Sequence, residues 1–202
     1  MIATIVYRGE LLEQYFNIGL CCAGCSAIIL ASGPASGSTT FISTPGSGAT
    51  AITTLGQTFT TGGECVILSS FTLPLVQQLN VINNPVFITA LLYTYDLSTN
   101  QVTGSRLASQ ATSATPSQIS LTVTFPQPVQ LSPATSYAIV LTTSGLGQGS
   151  TSRSIQVERS NYGNPNEIPG GKLIYQNNGD DPAAIDTSQF TQVLENLVIT
   201  VN

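Results

Sequence analysis

Four cysteines carry the most reactive chemistry in this chain. Three fall within five residues, Cys21, Cys22 and Cys25, and the fourth, Cys65, is distant. Thiols so placed serve as disulfide partners or as metal ligands. Cys21 and Cys22 are adjacent and poorly placed to bridge each other without strain. One of the three can reach Cys65, which leaves the others free or paired with a second chain. A metal site on Cys22 and Cys25 needs further thiolate or imidazole ligands, and only Cys65 remains. No metal is therefore expected there. Cys21, Cys22, Cys25 and Cys65 are read as disulfide candidates, or as small apolar residues suited to burial.

Oxygen chemistry is the second possibility. The loop Asn177-Asn178-Gly179-Asp180-Asp181-Pro182, with Asp186 nearby, offers carboxylate and amide ligands for Ca²⁺. Asp180, Asp181 and Asp186 are the candidate ligands, although the alternating spacing of a calcium loop is missing. The competing reading is a solvated turn, since Asn, Asp and Gly favour turns for backbone reasons. Glu158, Glu167, Asp180 and Asp181 are the carboxylates available for glycosidase chemistry, and no spacing singles out a pair. The chain has no histidine, so the usual triads and the commonest neutral-pH base are absent. No enzymatic activity and no cofactor is expected. Tyr162, with Tyr93, Tyr95 and Tyr175, supplies the aromatic faces for a sugar groove, or else cross-strand and core pairs. Lys172, the single lysine, is placed to form an isopeptide bond or simply to face water.

Composition narrows the classes further. Charged residues make up 7% of the 202, against about a quarter in ordinary soluble domains. The net charge is −5, and the cations are only Lys172, Arg8, Arg106, Arg153 and Arg159. No basic stripe exists, so nucleic acid is excluded as a partner. Low charge with abundant Ser, Thr, Gly and Asn is the composition of secreted, surface and virion proteins. An extracellular or cell-surface location is expected.

The elements that must position these residues divide in two. Residues 1–36 form an apolar, cysteine-bearing arm. Ile18 to Ala31 resembles the apolar part of a signal peptide, but Glu10 and Glu13 outweigh Arg8 in front of it. The run is also shorter than the roughly twenty apolar residues of a membrane span and is broken by Gly, so no span is expected. The arm is expected to be retained. Met1 to Tyr7 alternates as a strand. Leu11, Leu12, Tyr15 and Phe16 have the spacing of a short helix, and Ser26 to Leu30 suits a second strand. An apolar terminal strand is suited to the open edge of a neighbouring sheet, or to an edge of its own.

Residues 37–202 read as one all-β domain. A strand is expected around Thr39 to Ser43, then at Leu55 to Thr60, Cys65 to Leu73 and Val86 to Tyr95. The last is apolar on both faces, which suits a central strand. Ile119, Leu121, Val123 and Phe125 alternate toward the core, and Pro126 and Pro128 are expected to end that strand. Tyr137 to Thr142, Ser154 to Glu158, Lys172 to Gln176 and Gln192 to Val201 complete the set. The pattern predicts an antiparallel β-sandwich of jelly-roll type with an N-terminal extension.

Leu55-Gly56-Gln57-Thr58-Phe59-Thr60 and Leu68-Ser69-Ser70-Phe71-Thr72-Leu73 resemble the opening strands of the "choice-of-anchor" β-sandwich domains of exported bacterial proteins. Leu131-Ser132-Pro133-Ala134-Thr135-Ser136-Tyr137 is similar to their L-x-P-G-T-x-Y strand entry, with Ala134 in place of the commoner Gly. Tyr162-Gly163-Asn164-Pro165 and Gly170-Gly171-Lys172-Leu173 resemble their late loop. The resemblance covers roughly residues 55–202. It implies a sandwich on a cell-surface, matrix or phage protein and transfers no catalytic motif.

The expected function is a structural subunit of an extracellular or surface filament that self-assembles by strand addition. Ile2, Ile5, Val6, Leu11, Leu12, Tyr15 and Phe16 are the expected inter-subunit residues, with the cysteines locking the joint. Two alternatives accompany it: a glycan-binding module of a secreted protein, and a virion decoration or fibre protein.

Overall fold

The computed structural model describes residues 5–7, 10–12, 25–32, 34–47, 51–79, 85–115, 117–148, 152–160 and 168–202. The strands are β1 (Ile5–Tyr7), β2 (Glu10–Leu12), β3 (Ser26–Ala27), β4 (Leu30–Ala31), β5 (Ala35–Ser43), β6 (Thr54–Thr60), β7 (Val66–Leu79) and β8 (Val86–Asp96). They continue as β9 (Gln101–Ala114), β10 (Ser120–Leu131), β11 (Ser136–Thr142), β12 (Ser154–Ser160), β13 (Leu173–Gln176), β14 (Thr191–Val193), β15 (Asn196–Leu197) and β16 (Thr200–Val201). A single helical turn, α1, spans Ala184–Thr187.

Two sheets pack face to face as a sandwich. One has six strands in the order β14-β13-β6-β11-β8-β9, all antiparallel. The other has eight strands built around the long β7, which pairs with β10 along one side and with β3, β16 and β12 along the other. Among the described residues only the two-residue β3 runs parallel to its partner. The inner faces meet in a core of Phe59, Phe71, Leu55, Leu68, Leu73, Leu92, Leu121 and Ile139, all essentially inaccessible to water. Phe71 packs on Phe125 with ring centroids 6.1 Å apart, and Phe59 stacks on Tyr137 at 5.6 Å.

The six-stranded sheet is covered on its outer face as well. Leu91, Tyr93, Tyr95, Val102, Ala138, Val140 and Ile174 form a second apolar cluster there, closed by Ile185 and Phe190. This is why β8 and β11 read as nearly continuous apolar runs: a strand buried on both faces has no reason to alternate. The cover comes from the segment between β13 and β14, whose backbone hydrogen bonds are anchored by Phe190 N–H on Asn100 O at 2.8 Å.

Several expectations are corrected. Leu11 and Leu12 lie in strand β2, not a helix, because Glu10–Leu12 pairs antiparallel with Ile5–Tyr7; Ile2, Tyr15 and Phe16 lie outside the described residues. The expected arm boundary at residue 36 falls within β5, and β3, β4 and β5 are strands of the eight-stranded sheet. Ile119 does not face the core. It is 82% exposed just before β10, where only its carbonyl is used, accepting from Leu75 N–H at 2.9 Å. Pro126 and Pro128 do not end β10. The strand bulges instead: Phe125 to Pro128 together oppose Ser69, and pairing resumes at Val129 with Leu68. Two prolines without N–H groups are accommodated where the ladder is already interrupted. Strand β9 was not expected, because its polar sequence shows no alternation.

Ala134, in the turn between β10 and β11, has φ of +48°. A Cβ is disfavoured in that left-handed region, where Gly is better tolerated. Ala134→Gly is expected to raise the unfolding free energy by about 0.5 kcal/mol, the relief of backbone strain exceeding the added freedom of the unfolded chain. Denaturant titration measures it, and a loss of stability would contradict the strain.

Candidate assembly surface

The root of the arm is stapled to its own sandwich. Cys25 and Cys65 form a disulfide with Cα atoms 5.1 Å apart. Directly after it, β3 lies along Val66 and Ile67, and Ile28 N–H donates to Ile67 O at 2.9 Å. Ile28 is buried. Then β4 pairs with β16, and Ser32 closes the segment twice: its N–H donates to Ile199 O at 3.0 Å, and its hydroxyl accepts from Ile199 N–H at 2.9 Å. Cys25 and Cys65 are thus joined within one chain and are removed from the inter-subunit candidates. Cys21 and Cys22 lie outside the described residues.

What precedes Cys25 is different. Ile5–Tyr7 and Glu10–Leu12 pair with each other, Ile5 opposite Leu12, and with no strand of either sheet among the described residues. A two-stranded hairpin alone is marginal in water and gains most from a third strand or an apolar cover.

The sheet edges differ in how well they resist such an addition. At one side of the sandwich β9 and β10 lie against each other, and both are bulged. On β9, Gly104 to Leu107 oppose Tyr93 alone, with Gly104 at φ +68°. On β10 the bulge carries Pro126 and Pro128. Bulges and prolines are the devices by which sheets refuse edge-to-edge pairing. At the other side, β5 pairs with β12 and has no second strand partner among the described residues. Ser43 N–H points to that edge and is capped by Ile52 O at 2.8 Å, while Thr44 N–H points the other way, to Arg153 O. Antiparallel pairing alternates, so the backbone groups of Phe41 and Thr39 also face the open edge. A groove of about 330 Å³ lies along it, lined by Thr39, Phe41, Ala51, Ile52 and Arg159 among others.

The other sequence candidates are dispersed. Asp180 accepts from Gly145 N–H at 2.6 Å, Asp181 accepts from Ala183 N–H at 2.9 Å, and Asp186 accepts from the Tyr93 hydroxyl. Each carboxylate of the proposed calcium loop is therefore engaged locally, and no cluster of three acidic, Cys or His side chains is brought together among the described residues. Glu158 sits on β12, far in topology from Asp180, and Glu167 lies outside the described residues. Tyr93 and Tyr95 are buried under Ile185 and Phe190, so neither offers an open stacking face; Tyr175 is half-buried and Tyr162 lies outside the described residues. Lys172 Nζ donates to Gln192 Oε1 at 3.2 Å.

Tyr93 edges a shallow groove with Arg106 and Asp186. Burial pushes its phenol well above the usual value near 10, the hydrogen bond to Asp186 and that carboxylate's charge add to the shift, and Arg106 opposes it. Burial raises Tyr95 in the same direction. A raised phenol favours the folded state while it stays protonated, so its contribution is complete below about pH 10 and declines as pH rises toward the folded-state value. The protein is expected to lose stability above pH 10, with phenolate absorbance appearing together with unfolding; Tyr93→Phe should flatten that decline. A Tyr93 that ionises normally in the native state would exclude this account.

Two site features escaped sequence reasoning. The open β5 edge was legible only as an uncharged run, Thr39 to Ser43, with no sign of which side of the strand is paired. Arg159, lining the groove, is ion-paired with Glu195 of the turn before β15, a contact that joins positions 36 residues apart. No helix among the described residues is long and apolar enough to cross a membrane. No protein-family model matches the chain, and no curated protein matches it.

Proposed function

We propose that this chain is a structural subunit of an extracellular or surface filament, joined copy to copy through its N-terminal arm. The observation that carries this reading is the apolar hairpin β1–β2, which among the described residues pairs with itself and with no strand of the sandwich. The nearly uncharged surface supports it, since repulsion between copies is small. The Cys25–Cys65 disulfide supports an oxidising compartment. The resemblance to choice-of-anchor domains of exported proteins fits the same setting. The disulfide also gives the arm a fixed root, so that force on residues 1–24 is transmitted to β7. Cys21 and Cys22 are the thiols left to link neighbouring chains.

Deleting residues 1–24 is expected to leave a folded monomer whose midpoint of thermal unfolding is within a few degrees of the full chain, and to abolish polymers under negative stain. The cut must stop before Cys25, because removing residues 25–32 would also remove β3, β4 and the disulfide. Filaments formed by the shortened chain would refute the role of the arm.

A further inference from the structure

The open edge of β5 presents a docking surface, and we infer that its occupant is the N-terminal hairpin of a second copy of this chain. This inference rests on the assembly reading above and names the surface that reading requires. Three observations carry it. First, among the described residues β5 has a partner on one side only, and the outward-facing backbone groups of Thr39 and Phe41 line a groove. Outward-facing backbone donors and acceptors of this kind are a template for a further strand. The run Thr39-Thr40-Phe41-Ile42-Ser43 contains no charge, no Gly and no Pro, so nothing in it repels a pairing strand. The β9–β10 side, by contrast, is bulged and carries prolines.

Second, the occupant is at hand. The segment Ile5–Tyr7 is β-branched and aromatic, already extended, and among the described residues pairs on one side only, with β2. Docked on β5, it would continue the eight-stranded sheet from one copy into the next. Third, charge does not oppose it. Arg159, the one charged side chain among the groove-lining residues, is already paired with Glu195, so the groove offers no net charge to repel the arm, whose Glu10 and Glu13 stand against Arg8. The hairpin is separated from the staple at Cys25 by residues 13–24, a tether that spans at most about 40 Å when extended, enough to reach an adjacent copy.

The geometry supplies its own test. Phe41 is directly opposite Gln156, and its N–H points away from β12. Phe41→Pro therefore removes a donor from the docking edge and none from the ladder to β12. Phe41→Lys is the second variant. It keeps every backbone group and places a charge on the edge, as natural edge strands do to stay single. Both are expected to remain folded monomers and to raise the concentration needed for polymerisation about tenfold or more, the factor equivalent to losing roughly one net hydrogen bond. In parallel, Tyr7→p-benzoylphenylalanine is photolysed in a mixture of ¹⁵N-labelled and unlabelled full-length chains, and the adducts are mapped by mass spectrometry.

Adducts between heavy and light chains on the peptide holding Thr39 to Ser43, together with loss of assembly in both Phe41 variants, are the expected result. Adducts confined within single chains, or on any other segment, overturn the inference, as does unchanged assembly in both variants. If deletion of residues 1–24 abolishes polymers while the Phe41 variants polymerise normally, the arm joins copies but this edge is not its acceptor. If the full-length chain is monomeric at every concentration, both readings fall.

Discussion

Cys65→Ala is expected to lower the unfolding free energy by about 4 kcal/mol, the largest effect of any single substitution considered. The bridge to Cys25 closes a loop with a sequence separation of 40, and tying the ends of such a loop removes about that much chain entropy from the unfolded state. Little else compensates near the staple. The adjoining strand β3 is two residues long and exposed, and β4 is also two residues long. The substitution belongs at Cys65, since removing Cys25 would leave Cys22 free to take over the pairing. For a chain of this size the midpoint should fall by about 10 °C. Reductant should reproduce the shift in the native protein and have no effect on the variant. A loss below about 1 kcal/mol would mean that β3 and β4 hold without the bridge, contrary to the loop-closure account. In the assembly reading the variant has a second phenotype: the arm loses its fixed root, so filaments still form but break up at lower temperature than those of the native chain.

The second large effect lies at Gln57, a polar side chain on the inner face of β6 between Leu55 and Phe59. It is 1% exposed. Its Nε2 donates to Asn196 Oδ1 at 2.6 Å, and its Oε1 accepts from Leu197 N–H at 2.7 Å. Asn196 and Leu197 form β15 of the opposite sheet, so one amide ties the two layers together through the core. Gln57→Leu keeps the volume nearly constant but strands Leu197 N–H and Asn196 Oδ1 in an apolar setting. Each such group costs about 1–3 kcal/mol when unmet, and the expected loss is about 3 kcal/mol. The double variant Gln57→Leu/Asn196→Leu should recover part of it, because both partners are then apolar. Denaturant unfolding of the two single and one double variants gives the coupling. Additive losses, with no recovery, would show that the tie between sheets is not what Gln57 contributes.

Both residues show where sequence reasoning stops. Gln57 occupies an inward position of β6, between Leu55 and Phe59, where an apolar residue is expected. Its partners are about 140 positions away in the chain, and no local pattern announces a hydrogen bond at that separation. The four cysteines were legible as disulfide candidates, but the choice among Cys21, Cys22 and Cys25 was not. That choice depends on β3 running parallel to the start of β7, which brings Cys25 beside Cys65. Ile119 misled for a related reason. Its place in a period-two run is correct, but the strand begins one residue later and leaves it outside the core.

Edges are the least legible part of a sheet. The alternation of Ser120 to Phe125 tells which face of β10 is buried, because burial selects side chains. It says nothing about which flank is paired, because every residue carries the same backbone donor and acceptor. The bulge that absorbs Pro126 and Pro128, the pairing of β9 despite its polar sequence, and the open flank of β5 all belong to that hidden category.

The amino-acid sequence by itself determined the class of the molecule. Short alternating and apolar runs, turn residues between them, scarce charge and no histidine specify a β-sandwich with no obvious catalytic base, since local periodicity and composition suffice to set which surfaces leave water. Only the tertiary structure decided that the arm is stapled at Cys25, that the loop carrying Asp180, Asp181 and Asp186 covers a second apolar cluster, and that β5 has a partner on one side only among the described residues. Those are pairings between distant segments. They follow from how twisted strands of unequal length meet in space, which no window along the chain contains.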